Sequence, residues 1–421
     1  MLEKKLSNSI KKIVGKENFL TSENLMAPYK NGWRTQSGDC KGVIIPSSLL
    51  EMWEILKMLV ENNKIILLQA SNTSLTGGST PNGKYDRDLF IINTLKLSNI
   101  ILINNAKQVI ALPGSTLYSL ESKLKNFQRA PHSEIGSSCI GASIVGGICN
   151  NSGGALIKRG PAYTELALYA KVNKKGKLEL VNNLDINLGN SPEKILGNLD
   201  KGNIPSTKLF KTKRKASSLD YKKVIKNIDA NSPARYNADT KRLYEASGCA
   251  GKIAVFAVRL DTFEKEKNEV TFYLSSNSAN DLTKFRRKVL KEVKELPIYA
   301  EYMHKDAYEI SKKYGKDAFL LIYYLGTHTM PFFYKIKSKI EKVFSNSKLF
   351  SPYSLDYILH FLTKFIPHPL SKNFDYINKK YEHHLILKFD KSIYNDIKSI
   401  ANSIFTNKSK NNLLHCNDKE S

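Results

Sequence analysis

A glycine-rich stretch between residues 136 and 154 constrains the fold of this chain most strongly. It reads GSSCIGASIVGGICNNSGG and contains six of the 23 glycines of the 421-residue chain, with two cysteines, several serines and a pair of asparagines. Glycine permits positive φ angles and close approach to the backbone, and successive backbone N–H groups can bind an anion. The stretch therefore predicts either a phosphate-binding loop or an ordinary glycine-rich turn.

A second loop of similar composition, ASNTSLTGGST, covers residues 70–80 and follows an apolar segment. Neither loop fits GxGxxG between a strand and a helix, and neither fits GxxxxGKS, so Rossmann and P-loop sites are not indicated. Ser and Thr hydroxyls add hydrogen-bond donors to the main chain in both loops. Together the two loops favour a bound diphosphate.

The segments around these loops predict alternating helices and strands. Residues 47–63 place apolar side chains at helical spacing after a serine, and residues 64–70 form a short apolar run typical of a strand. Further predicted elements are strands at 89–94 and 108–114, a helix at 115–127, a hairpin at 166–181 and a strand at 251–264. Helices and strands joined by tight glycine loops indicate an α/β unit whose loops gather at one end of a sheet.

The second half of the chain has a different composition. Residues 201–239 are polar and basic and predict an excursion or mobile loop, and residues 285–296 predict a basic helix. Residues 304–380 mix lysines with aromatic side chains, residues 380–390 predict a strand, and the last thirty residues are rich in Asn, Lys and Ser. The length of the chain predicts two or three domains. No run of 18 or more uncharged apolar residues occurs, so no membrane-spanning helix is predicted.

The net charge of +26 has two explanations that the sequence leaves open. One is a polyanionic partner, such as nucleic acid or an anionic membrane face. The other is compositional drift, because the chain has 10 Arg against 55 Lys and is rich in Lys, Ile and Asn, whose codons are A/T-rich. Scarce arginine and the lack of an RRM, zinc-finger or helix-turn-helix signature weigh against nucleic acid.

The cysteine pattern indicates a reducing compartment. The five cysteines are widely spaced and form no CxxC pair: Cys40, Cys139, Cys149, Cys249 and Cys416. The first fifteen residues lack the apolar segment of a signal peptide. We therefore expect free thiols in the cytoplasm, with Cys139 and Cys149 as packed small residues. No cluster of His, Cys, Asp and Glu has zinc-site spacing, so no metal is predicted.

The order of these segments resembles the flavin-binding domain of the vanillyl-alcohol-oxidase type. The segments that carry the resemblance are PSSLLEMWEILKMLVENNKIILLQASNTSLTGGSTPNG, VIALPGSTLYSLESKL, PHSEIGSSCIGASIVGGICNNSGG and RGPAYTE. Within that type, the chain is similar to the quinone-dependent, membrane-associated D-lactate dehydrogenases. The motifs of this second likeness, which runs from about residue 10 to residue 390, are ARYNAD, SGCAGKIAVFAVRLDTFE, EYMHKDAY, KYGKDAFL, MPFF and KYEHHLILK.

The resemblance implies an α+β fold with a two-subdomain FAD-binding domain, a partial cap domain and a basic helical membrane-binding insertion. The implied boundaries are 1–262 for the FAD-binding domain, 263–303 with 381–421 for the cap, and 304–380 for the insertion. It also implies noncovalent FAD, because the sequence around His132 does not resemble a covalent flavin anchor. The implied FAD-contacting residues are Ala70, Ser71, Asn72, Thr73, Ser74, Gly78, Ser79, Gly136, Ser143, Gly153 and Val255.

The reaction that the resemblance implies is oxidation of D-lactate to pyruvate, with electron transfer to membrane quinone. Hydride would leave the substrate carbon for flavin N5, a base would take the hydroxyl proton, and a cation would hold the carboxylate. The candidates for these roles are Arg159, Arg259, His383 and His384, and a structural role is the alternative for each. His383 and His384 adjoin in a strand, so only one of them can face a site.

Two further expectations concern the membrane and the end of the chain. The lysines and aromatic residues of 304–380 suit an anionic lipid surface, which implies a peripheral protein on the cytoplasmic side of the inner membrane that binds no nucleic acid. The family's chains continue well beyond the position matching Ser421, so we expect part of the cap and the closing piece of the flavin domain to be missing. An active D-lactate dehydrogenase and a truncated, impaired or inactive flavin-binding remnant both stay open.

Overall fold

The computed structural model describes most of the chain, and it divides into two compact units. The described residues are 2–32, 35–133, 140–202, 204–236, 239–249, 251–326, 329–330, 332–333, 336–337, 340, 354–363, 365–366, 370–405 and 413–417. The first unit contains residues 1–154, 159–219 and 235–265. The second contains residues 155–158, 220–234 and 266–421.

The first unit begins with a four-stranded mixed sheet. Its strands are β1 (Phe19–Leu20), β2 (Gly42–Ile44), β3 (Ile65–Gln69) and β4 (Leu89–Asn93), in the order β1-β2-β4-β3. Strand β4 is parallel to β2 and β3, whereas β1 is antiparallel to β2. Because β3 and β4 are parallel, the loops that follow them leave the same edge of the sheet.

Three helices cover this sheet, namely α1 (Leu2–Val14), α2 (Glu23–Lys30) and α3 (Leu49–Glu61). Helix α3 begins after Ser48, whose hydroxyl oxygen accepts a hydrogen bond from the N–H of Glu51 at 3.1 Å. It buries an apolar stripe that includes Met52, Ile55, Leu56 and Leu59, and this stripe packs with α1 against one face of the sheet. Helix α2 packs against the opposite face through Met26.

A second sheet of the first unit is antiparallel throughout. Its strands are β5 (Ile100–Ile103), β6 (Gln108–Ala111), β8 (Ala167–Val172), β9 (Leu178–Asn182) and β10 (Ala254–Asp261), in the order β5-β6-β10-β8-β9. A two-stranded ribbon pairs β7 (Arg129–Ala130) with β11 (Phe263–Glu264). The remaining helices are α4 (Leu117–Leu124), α5 (Ile144–Cys149) and α6 (Pro192–Asp200). Helices α4 and α5 share one core with this sheet, and α6 joins the core of α1 and α3.

The second unit is built on a four-stranded antiparallel sheet. Its strands are β12 (Glu269–Ser276), β13 (Tyr299–His304), β14 (His383–Asp390) and β15 (Leu413–His415), in the order β13-β14-β12-β15. Seven helices are described here: α7 (Tyr221–Lys226), α8 (Ala279–Glu292), α9 (Lys305–Tyr314), α10 (Lys316–Leu325), α11 (Ser354–Thr363), α12 (Lys372–Lys380) and α13 (Tyr394–Phe405). Helices α8 and α13 cover one face of the sheet, and α9 and α12 cover the other.

Helices α10 and α11 pack against each other and leave large apolar side chains in solvent. These exposed side chains include Tyr323, Tyr324, Leu325, Tyr357, Phe361 and Leu362. Over the part of the chain that the structure describes, no helix has the length and apolar content to cross a bilayer.

The structure confirms the mixture of α and β elements and most predicted segments. The helix predicted at 47–63 is α3, the hairpin predicted at 166–181 is β8 with β9, and the strand predicted at 251–264 is β10 with β11. The polar excursion at 201–239 contains α7, and its residues 220–234 belong to the second unit. The last thirty residues contain α13 and β15, which their composition did not indicate.

Candidate flavin-binding site

The first glycine-rich loop leaves the carboxyl end of β3 and is closed by Asn72. This residue has a φ of 53°, in the left-handed region that Asn tolerates. Its Oδ1 accepts hydrogen bonds from Ser79 Oγ and Thr80 Oγ1, both at 2.8 Å, and its Nδ2 donates to the carbonyl of Asn31 at 2.9 Å. The predicted residues Asn72 and Ser79 therefore lie together, and Asn72 fixes the shape of the loop.

Two strand-end amides hold the base of this loop. Gln69 ends β3 and is the register partner of Asn93 in β4. Gln69 Nε2 donates to the carbonyls of Tyr29 at 2.9 Å and Ser79 at 2.8 Å, and Asn93 Nδ2 donates to the carbonyl of Ala70 at 3.1 Å. Both amides are buried. Sequence reasoning missed them, although a polar residue at the end of each apolar strand was the available signal.

The second loop meets the first at Gly141. The hydroxyl of Ser71 donates to the Gly141 carbonyl, and Gly141 has a φ of 97°, a conformation that other residues rarely adopt. Ser143 then starts α5, because its hydroxyl oxygen accepts from the N–H of Gly146 at 3.1 Å. A Cβ atom at Gly78 would lie 3.9 Å from Asn150 Oδ1, at the end of that helix. The structure thus brings the predicted Ser71, Gly78 and Ser143 into one junction.

The other predicted cofactor residues lie as follows. Ser74 Oγ hydrogen-bonds Thr76 Oγ1 at 2.8 Å beside the partly exposed Thr73. Val255 pairs with Tyr169 of β8 and buries its side chain, so only its main chain remains for a ligand. Gly136 and Cys139 lie outside the described residues.

Gly153 lies directly under a guanidinium that the sequence analysis did not single out. A Cβ atom at Gly153 would fall 2.7 Å from Arg235 Cζ, so a side chain there would displace the guanidinium. Arg235 Nη2 donates to the Gly154 carbonyl at 2.8 Å, whereas its Nη1 is buried without a hydrogen-bond partner. The ARYNAD motif contained the signal, but the contact joins residues 81 positions apart.

The two candidate arginines have different surroundings. Arg259 is buried, and its Nε and Nη2 donate to Gln108 Oε1 at 2.9 and 2.7 Å while its Nη1 donates to the Leu184 carbonyl at 3.1 Å. Burial lowers the pKa of the Arg259 guanidinium. Arg159 Nη1 donates to the Pro131 carbonyl at 2.5 Å, and its Cζ lies 4.9 Å from the centre of the Phe263 ring.

The two candidate histidines belong to the second unit and face opposite ways, as expected for neighbours in a strand. His383 is partly exposed and its Nδ1 lies 2.8 Å from Tyr302 Oη. His384 is fully buried, its Nδ1 lies 2.9 Å from Ser275 Oγ, and its ring stacks on Tyr273. Desolvation lowers the pKa of His384 to about 4, so it is neutral at physiological pH.

His132 precedes the second glycine-rich stretch, and Cys149 lies within it. His132 is buried with neither ring nitrogen hydrogen-bonded, and desolvation together with the charge of Arg159 lowers its pKa to about 4. Cys149 ends α5 and is partly buried, as a packed small residue would be. The adjacent Cys149 thiol lowers the pKa of Cys249 below its ordinary value.

These residues fit a dinucleotide cofactor. The junction of the two loops offers small side chains, main-chain N–H groups and hydroxyls, and Gly141 has a positive φ that favours glycine. Arg235 adds a buried cationic donor without a partner. This set of donors is what a diphosphate requires. Among the described residues, no group of three or more His, Cys, Asp and Glu could hold a metal ion.

Comparisons with known proteins agree with this assignment. The family model described as "FAD binding domain" matches residues 40–179, and the model described as "D-lactate dehydrogenase, membrane binding" matches residues 271–421. Among solved structures, alkyldihydroxyacetonephosphate synthase has a TM-score of 0.54 at 9% identity, covering 98% of this chain and 60% of that chain. The structure of p-cresol methylhydroxylase with substrate bound has a TM-score of 0.51 at 12% identity, with coverages of 98% and 66%. The fold and the loops therefore define an FAD-binding flavoprotein of the vanillyl-alcohol-oxidase type.

Curated relatives define the family more narrowly. Quinone-dependent D-lactate dehydrogenase of Escherichia coli is 50% identical over 382 residues, which cover 90% of this chain and 67% of the relative. The protein of the same name from Haemophilus influenzae is 46% identical over 419 residues, which cover 99% of this chain and 74% of the relative. The chain belongs to the family of quinone-dependent D-lactate dehydrogenases. Because the matches extend over nearly all of this chain, they give no support to its interpretation as an inactive remnant.

Proposed function

We propose that this protein uses FAD to oxidise D-lactate to pyruvate and passes the electrons to a membrane quinone. The observation that carries the proposal is the junction of the two glycine-rich loops, where the Ser71 hydroxyl holds the Gly141 carbonyl. Family membership supplies the substrate class, since the relatives are named for D-lactate and quinone. The same membership and the loop junction together support the cofactor.

Each part of the junction has a task in this proposal. Asn72 keeps the first loop closed through Ser79 and Thr80, and Ser71 ties it to the second loop. The main chain of both loops, with Ser143 and Gly153, holds the diphosphate and the adjoining part of the cofactor. Bound FAD would supply an acceptor for the substrate hydride and a carrier of the electrons to quinone.

The candidate catalytic residues divide by their partners. Arg259 is fully hydrogen-bonded by Gln108 and the Leu184 carbonyl, so we propose a structural role for it. His384 is buried with Nδ1 beside Ser275 Oγ and with Nε2 unpaired among the described residues, and we propose a structural role for it on the ground of its burial. Arg159 and His383 keep partly exposed side chains. They are the two candidates whose substitution we propose as a test of catalysis.

The proposed domains are an FAD-binding domain at 1–262, a cap at 263–303 with 381–421, and a membrane-binding insertion at 304–380. The compact units support a boundary near residue 265, although residues 220–234 group with the second unit. Within the insertion, α10 and α11 present exposed aromatic side chains, and the match to a membrane-binding family model covers this region.

We further propose that this surface binds anionic lipid on the cytoplasmic side of the inner membrane. Tyr357 and Phe365 are 71% and 74% exposed, and lysines such as Lys313 and Lys316 lie in the adjoining helices. Aromatic side chains can enter the lipid interface while lysines contact the headgroups. We propose no nucleic-acid partner, and a salt-dependent affinity for duplex or single strands would contradict that part.

The activity is tested with the purified chain. We expect the yellow absorption of bound flavin and D-lactate-dependent reduction of a quinone-like dye, with L-lactate as the control substrate. A colourless protein that takes up no added FAD would contradict the proposed cofactor. Bound FAD without turnover above a free-flavin blank would favour the impaired remnant instead.

Membrane binding is tested by cosedimentation with vesicles. We expect stronger binding to phosphatidylglycerol than to phosphatidylcholine vesicles, and weaker binding at high salt. Replacing Tyr357 and Phe365 by Ser should reduce binding, whereas Phe210→Ser, at a 56% exposed position of the first unit outside both loops, serves as the matched control. Equal loss in all variants would contradict the assignment of the surface.

A further inference from the structure

Arg235 is an incompletely paired cation at the second glycine-rich loop. Its Nη2 donates to the Gly154 carbonyl at 2.8 Å, and its Nη1 is buried with no hydrogen-bond partner. No carboxylate among the described residues forms an ion pair with it. A buried N–H donor of a charged group without an acceptor is unfavourable, so the position calls for an acceptor that the described residues do not supply.

Other arginines of the first unit have hydrogen-bond partners, so an unpaired guanidinium nitrogen is not a general property of the fold. Arg214 forms an ion pair with Asp185 at 2.5 Å, and Arg242 donates to Ser218 Oγ at 2.7 Å. Arg259 has partners for each of its nitrogens. Within the described part of the chain, Arg235 is the one arginine with a buried nitrogen that lacks a hydrogen bond.

Gly153 determines where the guanidinium lies. A Cβ atom there would stand 2.7 Å from Arg235 Cζ, 2.9 Å from Nη1 and 3.0 Å from Nε. The absence of a side chain at Gly153 therefore lets the guanidinium approach the main chain. The hydrogen bond from Nη2 to the Gly154 carbonyl fixes the orientation of the guanidinium. Nη1 is then held beside a segment that the resemblance assigns to the cofactor.

We propose that Arg235 is an anion-binding residue of this site and that its Nη1 donates to an oxyanion of the bound reactants. The shared chemistry is a delocalised oxyanion, a carboxylate or phosphate, which a guanidinium binds with directed hydrogen bonds. Two sources can supply it, the diphosphate of FAD or the carboxylate of the 2-hydroxy acid. The inference rests on the proposed function, since both anions belong to that reaction.

The experiment compares Arg235→Gln, Arg235→Lys and Gly153→Ala with the wild type. The last variant keeps the charge but pushes the guanidinium away, so it tests position without removing the arginine. Arg286→Gln, at an exposed position of α8, is the matched control for loss of charge. Circular dichroism and thermal unfolding establish that each variant is folded.

Two titrations distinguish the sources. If the partner is the diphosphate, Arg235→Gln weakens FAD binding to the apoprotein by about 10- to 100-fold, measured by flavin fluorescence, and leaves KM for D-lactate unchanged. If the partner is the substrate carboxylate, FAD affinity stays unchanged. In that case KM and the Kd of oxalate, read from the flavin absorption spectrum, rise by about 10- to 100-fold. Arg235→Lys and Gly153→Ala should show the same selectivity with a smaller change.

A folded Arg235→Gln protein with both affinities within about twofold of the wild type would overturn the inference. Turnover is a separate readout: wild-type protein that binds FAD without oxidising D-lactate refutes the proposed function, while the FAD titration still tests Arg235. If the wild type takes up no FAD, calorimetry with inorganic pyrophosphate and oxalate replaces the flavin readouts. Equal affinities of wild type and Arg235→Gln for both probes would then overturn it.

Discussion

Two regions of the first unit each contain an arginine with a buried guanidinium nitrogen, and the two arginines differ in their hydrogen-bond partners. At β10, Arg259 is surrounded by acceptors from Gln108 and the Leu184 carbonyl. After α5, Arg235 has one partner, the Gly154 carbonyl, and keeps a buried donor unpaired. The fold itself supplies all hydrogen-bond partners of Arg259. On our proposal, Arg235 gains its missing partner when an anion binds.

Two further residues in or just before the second glycine-rich stretch of the sequence also have buried polar atoms without hydrogen bonds. Asn151 is buried with its Oδ1 unpaired, and His132 is buried with both ring nitrogens unpaired. Since native proteins pair nearly all buried polar groups, unpaired ones near a glycine-rich loop indicate a place reserved for a ligand. A buried cation with complete partners indicates stability instead.

The largest effect is expected from removing the two arginines in turn. Arg259→Met removes two of the three donors to Gln108 Oε1, leaving Asn104 Nδ2 at 3.1 Å, and removes the arginine donor to the Leu184 carbonyl. This should lower the free energy of unfolding by about 4 kcal/mol, at about 1–3 kcal/mol for each acceptor. Arg235→Met should cost less than about 1 kcal/mol in the FAD-free protein, because it removes an unpaired donor. Urea unfolding of both variants measures the difference. Equal losses of unfolding free energy in the two variants would contradict the proposed difference between Arg259 and Arg235.

A somewhat smaller effect is expected from the titration of His132. Its pKa is lowered to about 4, whereas the unfolded chain has the ordinary value near 6.5. Between these two pH values the unfolded state binds a proton that the folded state does not, so stability decreases as the pH falls from 6.5 to 4. The total decrease from this residue is about 3 kcal/mol.

The pH dependence of unfolding measures this contribution. His132→Phe should flatten the slope between pH 6.5 and 4, since phenylalanine cannot take up a proton. His415→Gln, at an exposed position, is the control. A slope that persists in His132→Phe would show that His132 is not held neutral by the fold.

Elements with strong periodicity could be predicted from the sequence. The helix predicted at 47–63 is observed at Leu49–Glu61, because its buried residues repeat at helical spacing after a capping serine. Helix Tyr394–Phe405 was missed: the segment was described only by its Asn, Ser and Lys content, yet Ile397, Ile400, Ala401 and Phe405 lie on one buried side. Average composition over thirty residues concealed a periodic signal over twelve.

The candidate site likewise has some features that could be predicted from the sequence and others that could not. The loops themselves were evident, since glycine, serine and threonine are local signals, and family resemblance named their ligand. The contacts that complete the site join distant positions, such as Gln69 with Tyr29 and Arg235 with Gly154. Such pairs depend on the three-dimensional arrangement of the strands, which local patterns do not contain. Whether an arginine is fully paired, as Arg259 is, cannot be predicted from the residue type.

The smallest effect concerns the thiols of Cys149 and Cys249, which interact with each other at the second loop. The N–H of Gly248 donates to the carbonyl of Ile148 at 3.0 Å, which brings the neighbouring Cys249 and Cys149 together. The adjacent Cys149 thiol lowers the pKa of Cys249, which increases the fraction of Cys249 that is thiolate at neutral pH.

Removing the Cys149 thiol should therefore slow the alkylation of Cys249. In Cys149→Ala the pKa of Cys249 should rise towards its ordinary value, and its alkylation by iodoacetamide at pH 7 should slow by about tenfold, because the thiolate is the reactive form. Mass spectrometry of the Cys249 peptide follows the rate. Cys40→Ala is the control, since burial raises the pKa of Cys40 to about 11 and it has no contact with this pair. An unchanged Cys249 rate in Cys149→Ala would mean that the thiols beside the loop are not paired, and that incomplete pairing extends beyond Arg235, Asn151 and His132.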